Sequence, residues 1–232
     1  MKICYEVASH MTKTTPFRKG STIGFLHSPS GAPTDVLVLT HGAGGNCQAP
    51  LLVAVADAFA SIGFTVLRCN LPFRQQRPFG PPFPAKAAED RQGLKEAIWE
   101  MRGIVPGRTF LGGHSYGGRQ ASILVSEDPG LANALLLLSY PLHPPNKPHQ
   151  LRTAHFPDLR TPALFVHGTK DPFGTIEELQ TALELIASAS LSVVEHAGHD
   201  LERGRFDIAG LVVVPFVTKN AAPVLSDPDR SG

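Results

Sequence analysis

Gly113-His114-Ser115-Tyr116-Gly117 frames a serine between glycines, a G-x-S-x-G string. Such a string recurs by chance, and its setting is what gives it meaning. It follows the apolar run 109–112 directly and opens a helical stretch over 116–127. A strand that becomes a helix within one residue forces that residue into a strained conformation, and flanking glycines remove the clashes. The plainer alternative is a glycine-rich turn in which Ser115 caps the helix. A serine hydroxyl is a weak nucleophile, so a base and an orienting acid must accompany it. Of ten histidines, His199 stands out, in Ala197-Gly198-His199-Asp200 just past the run 191–195. His196 lies at the end of that run, where packing or solvation suits it better. His167 ends the preceding run, and His143, His149 and His155 fall in a proline-rich stretch. For the acid, Asp171 follows the run 163–167 through Gly168-Thr169-Lys170, whereas Asp200 adjoins His199, and consecutive side chains diverge. The expected catalytic set is Ser115, His199 and Asp171.

Acyl transfer also needs donors for the oxygen that becomes negative. Thr40-His41-Gly42-Ala43-Gly44-Gly45-Asn46 follows the run 36–40, and its glycines let backbone amides face a ligand. The expected donors are the amides of Ala43 and Tyr116. A dinucleotide site would want glycine at position 47, where Cys47 stands, and no G-x-x-x-x-G-K is present. Cys47 is expected to be inert. The segment 70–84, NLPFRQQRPFGPPFP, should overhang the site, and its Arg74 and Arg77 are either a grip for an acidic part of the substrate or two solvated cations. Arg119, one turn into the helix after Ser115, is expected as a structural ion-pair partner. No clustered metal ligands occur, so neither a metal nor a cofactor is expected.

Strand candidates at 36–40, 64–69, 109–112, 134–139, 163–167 and 191–195 position these residues. Most are near-continuous apolar runs, as parallel strands buried on both faces require. Helical stretches alternate with them. Residues 50–62 carry Leu51, Leu52, Val55 and Phe59 on one stripe and stop at Gly63. Residues 86–102 place Leu94, Ile98 and Met101 at helical spacing. Residues 176–187 open on a capping box, Thr175 with Glu178. Residues 206–219 suit either a last helix or a strand, because Pro215 interrupts LVVVPFV. The alternation predicts right-handed crossovers and an α/β fold, with a doubly wound, mostly parallel sheet flanked by helices. Ligands in such sheets sit beyond the carboxyl ends of the strands, where all the candidate residues fall. One domain over 17–220 is expected, with loose ends at 1–16 and 221–232.

Composition narrows the partners. With 21 Lys+Arg against 20 Asp+Glu, the net charge is +1, which argues against nucleic acid or an anionic membrane. Charged residues are 18% and hydrophobic ones 42%, too apolar for a disordered chain. Three cysteines without a C-x-x-C pair fit a reducing cytoplasm. The first residues lack the apolar stretch of a secretory signal, and no run approaches the ~20 residues of a membrane helix.

The motifs HGAGG, GHSYGG, HGTKDP and AGHD, in this order, resemble the α/β-hydrolase superfamily in its small lidless dienelactone-hydrolase-like branch. The resemblance covers about residues 20–205 and implies a serine hydrolase acting on an ester or related acyl bond of a small molecule. Ser115, Asp171 and His199 match the superfamily's order of triad residues. Dienelactone hydrolases proper use a cysteine nucleophile, so dienelactone is not the expected substrate. An idle member of the fold used for binding is the other reading. Larger members insert a lid after the strand that follows the serine. Here residues 141–162 hold six prolines and no amphipathic period, so a loop is expected and no cap.

Overall fold

The protein is described by a computed structural model covering residues 12–220. Eight strands form one sheet: β1 (Lys13–Lys19), β2 (Thr22–Ser28), β3 (Asp35–Thr40), β4 (Phe64–Cys69), β5 (Thr109–His114), β6 (Leu135–Leu138), β7 (Ala163–Gly168) and β8 (Ala189–Val194). Their order is β1-β2-β4-β3-β5-β6-β7-β8. From β4 through β8 the pairing is parallel. β1 and β2 form an antiparallel hairpin on the edge, turned at Gly20 with φ 54°. This hairpin corrects the expectation that residues 12–16 belong to a loose end. β1 reads KTTPFRK and is mostly exposed, so it lacks the apolar signal of an inner strand; charge and a proline mark an edge that resists further pairing. Residues 1–11 and 221–232, the rest of the expected loose ends, lie outside the described residues.

The helices are α1 (Pro50–Ser61), α2 (Pro72–Gln76), α3 (Ala87–Arg102), α4 (Tyr116–Glu127), α5 (Ile176–Leu183) and α6 (Val214–Lys219). They cover both faces of the sheet. One core joins α3, α4 and α5 to one side, through residues such as Leu94, Ile98, Leu124 and Leu179. The other joins α1 and the C-terminal helix to the opposite side, through Leu52, Phe59, Val212 and Phe216. The capping box at α5 is present: Glu178 N donates to Thr175 Oγ1, and Thr175 N donates to Glu178 Oε2. α5 ends at Leu183, shorter than expected, and α2 interrupts the segment expected as loop.

The undecided C-terminal segment is helical. A widened turn at Ala209–Val213 precedes α6, just where Pro215 removes a backbone donor. Phe216 is 1% exposed and meets Phe59 and Phe110 with ring centroids 5.5 and 5.2 Å apart. Phe216→Ala should cost about 3–5 kcal/mol, or on the order of 10 °C in Tm for a chain of this size. A thermal melt checks this, and an unchanged Tm would mean that α6 is not part of the folded core.

Candidate active site

Ser115 sits between β5 and α4 with φ 52° and ψ −118°, a conformation that side chains rarely adopt. Its amide donates to Leu138 O at 2.8 Å, which ties the turn to the neighbouring strand. The glycines around it are there for space. A Cβ on Gly113 would lie 2.8 Å from Gly118 N, and one on Gly117 would lie 2.5 Å from His41 O. A Cβ on Gly42 would lie 3.3 Å from that of Ser115. The loop after β3 is therefore packed directly against the serine.

Asp171 and His199 arrive from the loops that follow β7 and β8. His199 Nε2 is 2.8 Å from Ser115 Oγ, and its Nδ1 is 2.8 and 3.0 Å from the two Asp171 oxygens. A carboxylate only accepts, so Nδ1 carries the proton and Nε2 accepts from the serine hydroxyl. Several bonds lock the loops after β7 and β8 together. Lys170 N donates to Ala197 O at 2.8 Å, and His196 N to Thr169 Oγ1 at 2.8 Å. A Cβ on Gly168 would lie 2.3 Å from Ala197 O, so this approach demands glycine. The Asp171 side chain is fully buried. Burial alone would raise its pKa, but the hydrogen bonds and charge of His199, with help from His167 and the Phe173 amide, hold it below the usual carboxylate range. Asp200 turns away, accepting from Glu202 N and pairing with Arg203, and His196 is exposed.

Ala43, Ser115 and Tyr116 line one cleft of about 500 Å³. Neither the Ala43 nor the Tyr116 amide has an acceptor among the described residues. The two arginines of the overhanging segment donate to backbone carbonyls. Arg74 is buried and donates to Gly45 O at 2.8 Å, Ala43 O at 2.7 Å and Gly80 O at 3.1 Å. Its fork clamps the loop that carries Ala43. Arg77 lies over the Phe83 ring and donates to Pro81 O, so it braces its own segment. Arg119, expected in an ion pair, has none among the described residues.

Residues to which the sequence assigned no role complete the site. His114 Nε2 donates to His199 O at 2.7 Å, and Phe173 packs on the His199 ring with centroids 4.2 Å apart. His41 Nε2 accepts from Leu71 N at 3.1 Å. Buried Asp90 accepts from Phe73 N at 3.0 Å and from the Tyr116 hydroxyl at 2.7 Å. The only sequence signal for His114 and Phe173 is their adjacency to Ser115 and Asp171. Cys47 is buried, and burial raises its thiol pKa. Among the described residues, no group of three or more His, Cys, Asp or Glu is arranged to hold a metal, and no helix is long and apolar enough to cross a membrane.

Residues 33–207 match the family model described as an alpha/beta hydrolase domain. The chain belongs to the α/β-hydrolase family. Solved structures share its fold at low identity. Est1E from Butyrivibrio proteoclasticus is 14% identical with a TM-score of 0.67, covering 89% of this chain and 98% of that one. A dienelactone hydrolase from Anabaena variabilis is 19% identical with a TM-score of 0.65, covering 91% and 96%. A serine hydrolase without lid from Xanthomonas campestris is 15% identical with a TM-score of 0.66, covering 90% and 94%.

Three histidines of this α/β-hydrolase, one buried and two half-buried, are held in the neutral form. Burial, foremost, depresses His41, His114 and His155 from 6.5 to about 4. The unfolded chain therefore takes up protons between pH 6.5 and 4 that the folded chain refuses, and stability falls as pH falls through that window. Each histidine contributes a slope of up to about 1.4 kcal/mol per pH unit. Tm should drop steadily from pH 7 to 4.5; a flat profile would show that these imidazoles are solvated.

Proposed function

We propose that the chain is a serine hydrolase cleaving a carboxylic ester or related acyl bond through an acyl-enzyme. The observation that carries this reading is the unbroken hydrogen-bonded chain from Asp171 through His199 to Ser115 Oγ, which ends in an open cleft. Ser115 Oγ attacks the acyl carbon while His199 Nε2 takes its proton. The amides of Ala43 and Tyr116 receive the oxyanion. His199 then protonates the departing alcohol, the acyl group stays on Ser115, and a water activated by the same imidazole releases the acid. Asp171 stays ionised throughout and orients the ring. No step requires a cofactor. Free, buried Cys47 and Cys69 support a reducing compartment such as the cytoplasm.

Ser115→Ala should abolish ester hydrolysis, a loss on the order of 10⁶ where a triad nucleophile is removed. Its Tm should stay within a few degrees, since alanine meets the same backbone strain. Asp171→Asn should lose about 10⁴ by leaving the wrong tautomer, whereas Asp200→Asn should stay within about twofold. Activity of Ser115→Ala above a tenth of wild type, or a crippling Asp200→Asn with a mild Asp171→Asn, would overturn the assignment.

The segment between β6 and β7 bears on chain length. It carries one short turn of helix, Phe156–Asp158, and no apolar cap. Little apolar surface is available to bury a long acyl chain, at ~0.8 kcal/mol per methylene. Across p-nitrophenyl esters from acetate to palmitate, kcat/KM should therefore not climb with length or jump above the micelle threshold. A steady climb to palmitate would show that this segment closes as a lid.

A further inference from the structure

The cleft around Ser115 is lined by three arginines: Arg91 on α3, Arg119 on α4 and Arg152 in the loop after β6. Arg91 is neutralised. Its Nη1 donates to Gln120 Oε1 at 3.1 Å and its Nε lies 3.5 Å from the Glu127 carboxylate. Arg119 and Arg152 have no carboxylate within ion-pair distance among the described residues. Arg119 Nε is buried without a hydrogen-bond partner, and Arg152 donates only weakly, to Pro141 O at 3.3 Å. Burial first, then the charge of Arg119, lowers the pKa of Arg152. Two cations lining one partly buried cleft, one with an unmet donor, favour an anion between them.

Arg119 is placed to act on whatever occupies Ser115. Its amide donates to Ser115 O at 2.9 Å, so it stands one helical turn along. Side chains on a helix lean toward its N-terminus, which here is the serine end. The planar guanidinium fork matches a carboxylate with two parallel hydrogen bonds.

We propose that Arg119 and Arg152 form a carboxylate subsite, so that the preferred substrate is an ester whose acyl group ends in a second carboxylate. This rests on Ser115 being the nucleophile. The rise over the four residues from Ser115 to Arg119, about 6 Å, makes a dicarboxylic acyl chain of roughly four methylenes the first probe.

The test compares kcat/KM for the p-nitrophenyl monoester of adipic acid with that for p-nitrophenyl hexanoate. Wild type should favour the charged ester about tenfold or more at low salt, and high salt should narrow the ratio. Arg119→Gln and Arg152→Gln should each reduce the ratio, and the double variant should bring it near one. Calorimetric titration of adipate into the Ser115→Ala protein needs no turnover. Binding there, lost on adding Arg119→Gln or Arg152→Gln, would establish the subsite even if Ser115 proved not to be the nucleophile. A wild-type ratio of one or below, a ratio that the glutamine variants leave unchanged, or phosphate binding where adipate does not, would overturn the proposal. Melting curves of the single variants show that each is folded, and if the double variant is not, the singles decide.

Discussion

The positive φ of Ser115 can be held only because three backbone segments close on it at once. β5 carries Gly113 one residue before its end, the first turn of α4 carries Gly117 and Gly118, and the loop after β3 brings Gly42 against the serine. Each contact is closer than a side chain would permit. Residues in such regions cost on the order of 1–3 kcal/mol and persist where the surroundings leave no alternative. The result is a hydroxyl and a following amide that face one cleft from a rigid base, rather than from a loop that must be ordered on binding. The parallel strands β3, β5, β7 and β8 deliver the remaining groups to the same edge.

Electrostatics around this point are arranged by burial. Asp171, with no exposed side-chain surface, keeps its charge because His199, His167 and a backbone amide surround it. His114 and His41 stay neutral, which leaves their nitrogens free to hold the backbone of His199 and Leu71. Arg74 fixes the carbonyls of Ala43 and Gly45, so the Ala43 amide is held from behind. Asp90 does the same for Tyr116 through its hydroxyl. Preorganised donors of this kind stabilise charge at little reorganisation cost.

Inner strands and the hydrogen-bonded grouping of Ser115, His199 and Asp171 were legible in the sequence for a physical reason. Strands buried on both faces, such as β3, β4 and β7, must be continuously apolar, and the loops at their carboxyl ends must carry glycine where backbones touch. β1 escaped because an exposed edge imposes no such pattern. The arginines were misread in both directions. Arg74 looked available for ligand, but four backbone carbonyls consume its donors, and carbonyl acceptors leave no trace in a sequence. Arg119 looked like half of an ion pair because most partly buried arginines are, yet no acid faces it among the described residues. Asp90 gave no signal because its partners Phe73 and Tyr116 lie 17 and 26 residues away.

The proposed chemistry requires Ser115 to be the one activated nucleophile among the described residues. The most direct measurement is to treat the folded protein with a fluorophosphonate, weigh it intact and map the adduct by peptide mass spectrometry. A single adduct should form on the peptide that holds Ser115, and it should vanish in Ser115→Ala. No adduct on folded wild type, or an adduct on any other residue that survives Ser115→Ala, would contradict the account.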